Sequence, residues 1–290
     1  MSFFDLPGWG DHLVRVTYPE GLTQELIENF PAFKDWTKTF KSSLKRQNQT
    51  GHPLNKESYT LRSIDIQAFF LVGKEEKQRP LFLYMLTHVR SKDDKASLPG
   101  VVFLRGGSVA VLMILRPLDS FDERHVVMTQ QPRVPAGSLE FMEIPAGMLD
   151  PEDGKLKMAA ARELEEEIGI VLDANDLTNM TEIATWRHDT EEELQHAMYP
   201  SAGGCDEHIS IFLWERPMER TEIDAMRGRL TGNRAEQEKI TVKLLPYESL
   251  LDVGARDGKT LAAWALYEYL KRTRQIDENG KQVQAEKRYQ

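Results

Sequence analysis

Cysteine is nearly absent: Cys205 is the single one in 290 residues. One thiol cannot close an intrachain disulfide, which excludes a disulfide-stapled scaffold and fits a reducing compartment. Long apolar runs are missing too. The longest, such as Val109–Leu115, fall far short of the roughly 20 residues that a membrane-spanning helix needs, so no membrane partner is expected. The opening M-S-F-F-D-L-P-G-W-G-D-H has no basic end followed by an apolar core and is not Arg/Ser-rich. No signal or transit peptide is therefore expected, and the cytoplasm is the default compartment. There is no long basic run, and the net charge is −9. That balance argues against nucleic acid as the main partner. No internal repeat or low-complexity tract is visible.

What is present is an ordinary globular composition, 40% hydrophobic and 29% charged, in a chain long enough for one large domain or two modest ones. After an irregular start, Thr23 reads as an N-cap ahead of Leu26, Ile27 and Phe30. A second helix is expected over Ala32–Leu44, with Phe33, Trp36, Phe40 and Leu44 as its apolar side. Tyr59–Val72 and Pro80–Val89 read as strands joined by a charged link. The polar break Ser91–Lys95 is the expected domain boundary. Beyond it, Val101–Leu104, Val109–Leu115, Val126–Gln130 and Leu139–Ile144 read as strands, followed by a helix around residues 155–168. The segment Met180–Arg187, a polar loop to Gly204 and the strand Ile209–Glu215 come next. A short helix over Glu222–Leu230, a strand over Ile240–Leu245 and a last helix over Thr260–Arg272 complete the order. From about Gln275 the chain is polar and expected to fray.

The richest stretch runs from Gly147 to Ile170, G-M-L-D-P-E-D-G-K-L-K-M-A-A-A-R-E-L-E-E-E-I-G-I. A turn at Pro145-Ala146-Gly147 leads through an acidic loop into the helix. Glu163, Glu166 and Glu167 are three and four apart and share one helix face, where like charges repel by a few tenths of a kcal/mol per pair. Met158, Ala160, Leu164 and Ile168 recur on another side and suit a buried stripe. Gly169 stands where a helix C-terminal cap is expected. A solvated acidic face is one account of such a cluster. A set of oxygen ligands for a hard divalent cation is the other.

The surrounding pattern decides between them. The stretch resembles the Nudix box: Gly, five residues, Glu, seven residues, then Arg-Glu-U-X-Glu-Glu-X-Gly-U, with U a bulky aliphatic. Arg162, Glu163, Leu164, Glu166, Glu167, Gly169 and Ile170 match every defined position of the second half. The interval from Gly147 to Arg162 is one residue longer than the pattern, so the loop acid is either Asp153 or Glu152. The resemblance implies an α/β (α+β) Nudix fold, a mixed sheet sandwiched between helices. It implies Mg²⁺, with Mn²⁺ able to substitute, held by Glu163, Glu166, Glu167 and the main-chain carbonyl of Ala146. Arg162 takes the place of the box arginine that orients the glutamates.

Two further segments narrow the resemblance to eukaryotic ADP-sugar (ADP-ribose/ADP-glucose) pyrophosphatases. The late loop G-G-C-D-E-H-I-S resembles their Gly-Gly-X-X-Glu pattern, which implies Glu207 as catalytic base beside Glu166 and Arg162, with Asp206 and His208 as rivals. The stretch Q-Q-P-R-V-P-A-G resembles the segment ahead of the box. There Arg133 is the candidate diphosphate contact, because a guanidinium fork matches phosphate oxygens. Glu140 or Glu143 is expected to touch nucleotide or metal, Glu143 having the alternative of pairing with Arg133. An acidic chain needs such arginines or metal ions to hold a diphosphate. The ending D-G-K-T-L-A-A-W-A-L-Y-E completes the likeness. It implies hydrolysis of a nucleoside diphosphate-sugar to AMP and a sugar phosphate, and a homodimer built by a β-rich N-terminal extension. The expected divisions are residues 1–95 (that extension), 96–275 (the Nudix domain) and 276–290 (a polar tail). Tyr59, Phe103, Trp186 and Tyr199 are candidates for base selection. UDP-glucose, NADH or dinucleoside polyphosphate hydrolysis, and a non-catalytic nucleotide-binding module, are the alternatives.

Overall fold

The structure, a computed structural model, describes residues 1–9, 13–74, 77–120, 122–149, 156–186, 192–232 and 239–283, apart from the side chain of Glu163. Within α-helical and β-strand segments the chain forms two compact units. The first comprises Met1–Gly107 with Asp189–Gln195 and Tyr199–His208; the second comprises Ser108–His188, His196–Met198 and Ile209–Gln290. No described helix is long and apolar enough to cross a membrane.

The first unit contains β1 (Ser2–Leu6), β2 (Val14–Tyr18), α1 (Gln24–Asn29), α2 (Pro31–Arg46), β3 (Tyr59–Val72), β4 (Arg79–Ser91), β5 (Ser97–Leu98) and β6 (Val101–Leu104). Thr23 caps α1 as expected, its side chain accepting the Leu26 N–H at 3.2 Å. The strands pair in the order β1-β2-β3-β4-β5, with β6 also on β4. All pairings are antiparallel except β2 on β3. Strands β1 and β2 occupy ground expected to be irregular. They are only five residues long and bury Phe4, Val14 and Val16 in the unit's core. The polar stretch around Ser91–Lys95 is a turn inside this sheet, closed by the Ser91 N–H on the Ala96 carbonyl (3.0 Å). Because β6 continues the same sheet, the first unit extends to Gly107, past the expected break.

The second unit is built on β7 (Gly107–Pro117), β8 (His125–Arg133), β9 (Ser138–Glu143), β10 (Ala146–Met148), α3 (Leu156–Ile168), β11 (Thr178–Asn179), α4 (Met180–Thr185), β12 (His208–Met218), α5 (Arg220–Ala225), β13 (Leu230–Thr231), β14 (Ile240–Pro246), α6 (Leu250–Gly254) and α7 (Gly258–Arg272). Its sheet runs β11-β12-β7-β8-β14-β13, with β10 on β7 and β9 on β8. Strand β7 shows why the architecture is a sandwich. Val109, Val111, Met113 and Leu115 face one core with Ala159, Ala160, Leu164 and Ile168 of α3. Ala110, Leu112 and Ile114 face the other with Met180 and Ile183 of α4 and Ala263, Tyr267 and Leu270 of α7. A strand covered on both faces reads as an unbroken apolar run, which is the run seen in the sequence. The expected mixed sheet between helices is therefore the observed one.

Two local expectations change. Ala160, Leu164 and Ile168 line the buried stripe of α3 as expected, but Met158 is 53% exposed and Ala159 is buried in its place. The tail does not fray at Gln275: Ile276 is buried in the α7-side core, and the Asp277 N–H donates to the Lys281 carbonyl at 2.8 Å. Residues 284–290 of the expected tail lie outside the described residues.

A surface clamp closes the loop before β8. Arg220 donates to Asp119 Oδ2 (2.8 Å) and to Glu123 Oε2 (2.7 Å), and His125 Nε2 lies 2.7 Å from Glu123 Oε1. The Arg220 hydrogen bonds, and then that from His125, draw the Glu123 carboxyl down from its usual 4.5 to about 2. A depressed folded-state value means stabilisation that is present above the unfolded value and lost as pH falls. The urea midpoint of wild type should therefore exceed that of Arg220→Ala above pH 5, modestly for so exposed a cluster. The gap should close between about pH 4.5 and pH 2. A gap that does not change with pH would show that the clamp acts through packing alone.

Candidate active site

Helix α3 carries the box glutamates, and its end is set by Gly169, whose φ of +74° lies in the left-handed region and whose N–H donates to the Glu165 carbonyl at 2.9 Å. This is the expected cap. Arg162 Nη1 donates to both carboxylate oxygens of Glu166, at 3.2 and 3.1 Å, as an i,i+4 pair on the helix surface. Glu167 is buried, only 6% exposed. Its Oε2 accepts the Ala146 N–H (3.1 Å) and its Oε1 accepts from Gln131 Nε2 (3.4 Å). Its own carbonyl accepts the Thr231 hydroxyl. One glutamate thus joins α3 to β8, β10 and β13, and brings Ala146 beside the helix. Glu163 sits one turn earlier in α3, but its side chain, like the loop acids Glu152 and Asp153, lies outside the described set.

A second cluster forms around Glu143, which is 1% exposed at the end of β9. Arg133 Nε donates to Glu143 Oε1 at 2.6 Å, and Lys259 Nζ donates to Oε2 at 2.8 Å. Lys259 also reaches Asp257 Oδ1 at 2.8 Å, and Asp257 caps α7 through the Lys259 and Thr260 N–H groups. Burial presses the Lys259 ammonium toward neutrality, but the charges of Glu143 and Asp257 outweigh it and hold it above the usual lysine value. Of the two glutamates ahead of the box, Arg133 therefore pairs with Glu143. Glu140 is exposed on β9, its N–H on Ser138 Oγ at 3.2 Å. Lys259 belongs to the Asp257-Gly258-Lys259-Thr260 start of α7, where the aspartate-glycine pair signals a helix start but nothing local signals a lysine reaching β9.

The late loop belongs to the first unit. There Glu207 Oε1 lies 3.4 Å from Arg105 Nη1, with the glutamate side chain mostly buried. Asp206 does something different: its carboxylate accepts the Arg105 N–H at 2.8 Å and the Gly106 N–H at 3.1 Å. Burial raises the Asp206 carboxyl above its usual range, with these N–H bonds opposing. His208 packs its ring against Tyr199, centroids 5.9 Å apart. Of the aromatic candidates, Tyr59 is a core residue and Trp186 is largely exposed. Phe103 stacks on Phe82 at 5.2 Å, and the Tyr199 hydroxyl accepts the Gln195 N–H at 3.1 Å.

Glu166 and Glu167 are carboxylates, the ligand type that hard divalent cations prefer. Among the described residues no three acidic, histidine or cysteine side chains converge on one point. The sequence model of the NUDIX domain family matches residues 106–265. The chain belongs to the Nudix hydrolase family. Enzymes of this family use divalent cations such as Mg²⁺. The chain is similar to Nudix hydrolase 14, chloroplastic, of Arabidopsis thaliana, with 36% identity over 233 residues, covering 80% of this chain and 71% of that protein.

Proposed function

We propose that the protein hydrolyses the diphosphate bond of ADP-sugars, ADP-ribose or ADP-glucose, to AMP and a sugar phosphate. Supporting this is the Gly203-Gly204-Cys205-Asp206-Glu207 loop, which resembles that of ADP-sugar pyrophosphatases, in a chain that also carries the full glutamate set of the box. Glu163, Glu166, Glu167 and the Ala146 carbonyl would hold Mg²⁺ or Mn²⁺. Such an ion, when bound, neutralises diphosphate oxygens and acidifies water. Arg162 fixes the direction of Glu166 by its two hydrogen bonds. Arg133 offers its guanidinium to the diphosphate, steadied through Nε by Glu143, and Glu140 is the proposed second substrate contact. Glu207 accepts the proton of the attacking water. The reading includes a homodimer and a cytoplasmic setting, both carried from the sequence.

Product analysis with Mg²⁺ tests it against ADP-ribose, ADP-glucose, UDP-glucose, NADH and diadenosine polyphosphates. AMP release should be fastest from an ADP-sugar and should vanish with EDTA. Faster turnover of another member of the panel would replace the substrate assignment. No turnover with either Mg²⁺ or Mn²⁺ would replace catalysis by nucleotide binding.

A further inference from the structure

The late loop and the end of β6 are about 100 residues apart in sequence yet are joined by a dense set of bonds. The Phe103 N–H donates to the Gly204 carbonyl (2.8 Å) and the Asp206 N–H to the Phe103 carbonyl (3.3 Å). The consecutive N–H groups of Arg105 and Gly106 converge on the Asp206 carboxylate, an anion-holding nest of backbone donors. Gly106 adopts φ +81°, a left-handed conformation that side chains rarely take. The Arg105 guanidinium then spans Phe82, 5.9 Å from the ring centroid, and Glu207.

From this geometry we propose that Asp206 and Arg105 are positioning residues for Glu207: Asp206 pins the loop to the β6 end, and Arg105 orients the Glu207 carboxylate. This rests on reading Glu207 as the proton acceptor. It separates the three acid–base candidates by their contacts. Asp206 is committed to backbone donors, His208 to the Tyr199 ring, and Glu207 faces a cation.

The test is kcat and KM measured separately at saturating Mg²⁺. Arg105→Gln should lower kcat about tenfold or more, since a misdirected base loses part of its contribution, with KM changed less than about threefold, a binding difference near 0.6 kcal/mol. Arg105→Lys, which keeps a cation, should restore part of the rate. Asp206→Asn should lower kcat with KM little changed. In the Glu207→Gln background, Arg105→Gln should lower kcat no further, because no carboxylate is left to orient. Wild-type kcat in Arg105→Gln overturns the proposal, as does an equal further loss in the Glu207→Gln background, which would show a merely structural role. Glu207→Gln alone distinguishes this failure from failure of the underlying reading, since unchanged kcat there removes Glu207 from the chemistry altogether. If Arg105→Gln melts below the assay temperature, Arg105→Lys alone decides, by a lowered or a wild-type kcat.

Discussion

Glu167→Gln should lower kcat by about 10²- to 10³-fold at saturating Mg²⁺. The magnitude follows from losing several kcal/mol of charge stabilisation when a metal-holding carboxylate becomes neutral, at about 1.4 kcal/mol per tenfold. The substitution suits the question because it preserves shape in a buried position. The Ala146 N–H and the Gln131 amide, which now donate to the two carboxylate oxygens, can still be met by a side-chain amide after the amides reorient. The Thr231 contact goes to the Glu167 backbone and survives. The melting temperature should therefore stay close to wild type, and the apparent Mg²⁺ requirement should rise. Near-normal kcat would remove Glu167 from the metal set. A large loss of stability with intact turnover in the folded fraction would assign it to joining α3 with β8 and β10. Glu166→Gln gives the comparison: this carboxylate is half-exposed and held by Arg162, so its loss should touch activity but not folding.

The parts of this site that could be read in advance are those whose chemistry is local. The Gly169 terminus follows from a conformation that glycine adopts without strain, and the Thr23 cap from its hydroxyl. Strand β7 was legible as an apolar run because burial on both faces leaves no polar position to interrupt it; the sandwich itself was expected from the resemblance to the Nudix box. What could not be read depends on partners far along the chain. Strands β1 and β2 exist because Val14 and Val16 find a core, and β2 pairs in parallel with β3 some 48 residues away (Val16↔Ile64). On α3 the expected stripe holds at Ala160, Leu164 and Ile168, and its first position differs, with Ala159 inward and Met158 outside. The burial of Glu143 between Arg133 and Lys259 joins β8, β9 and α7, and nothing in D-G-K-T-L announces it. The same holds for Arg105, which a sequence reading passes over as an ordinary strand-end residue.

Glu215→Ala should destabilise the second unit by about 3 kcal/mol, the low end of the cost of breaking a buried ion pair because its cations keep partial access to solvent. Glu215 lies on β12 with its side chain 1% exposed. It accepts from Arg116 Nε at 2.8 Å, lies 3.2 Å from Lys271 Nζ, and accepts the Tyr267 hydroxyl at 3.2 Å. Arg116 comes from β7 and the other two from α7, so one carboxylate fastens the helix to the sheet. Alanine would leave two cations beside each other's charge and a buried hydroxyl without this acceptor, and each consequence is unfavourable. For a unit of this size the loss corresponds to a melting-temperature drop of roughly 6–12 °C. Glu215→Gln separates the two contributions. It keeps an acceptor for Tyr267 and removes only the charge, so its drop should be smaller and should shrink further in high salt. Turnover per folded molecule should stay unchanged in both variants, because Glu215 is not among the groups proposed for catalysis. A drop of less than 1 °C in Glu215→Ala would mean that the two apolar cores alone hold α7 in place, and that the buried carboxylate adds no net stability.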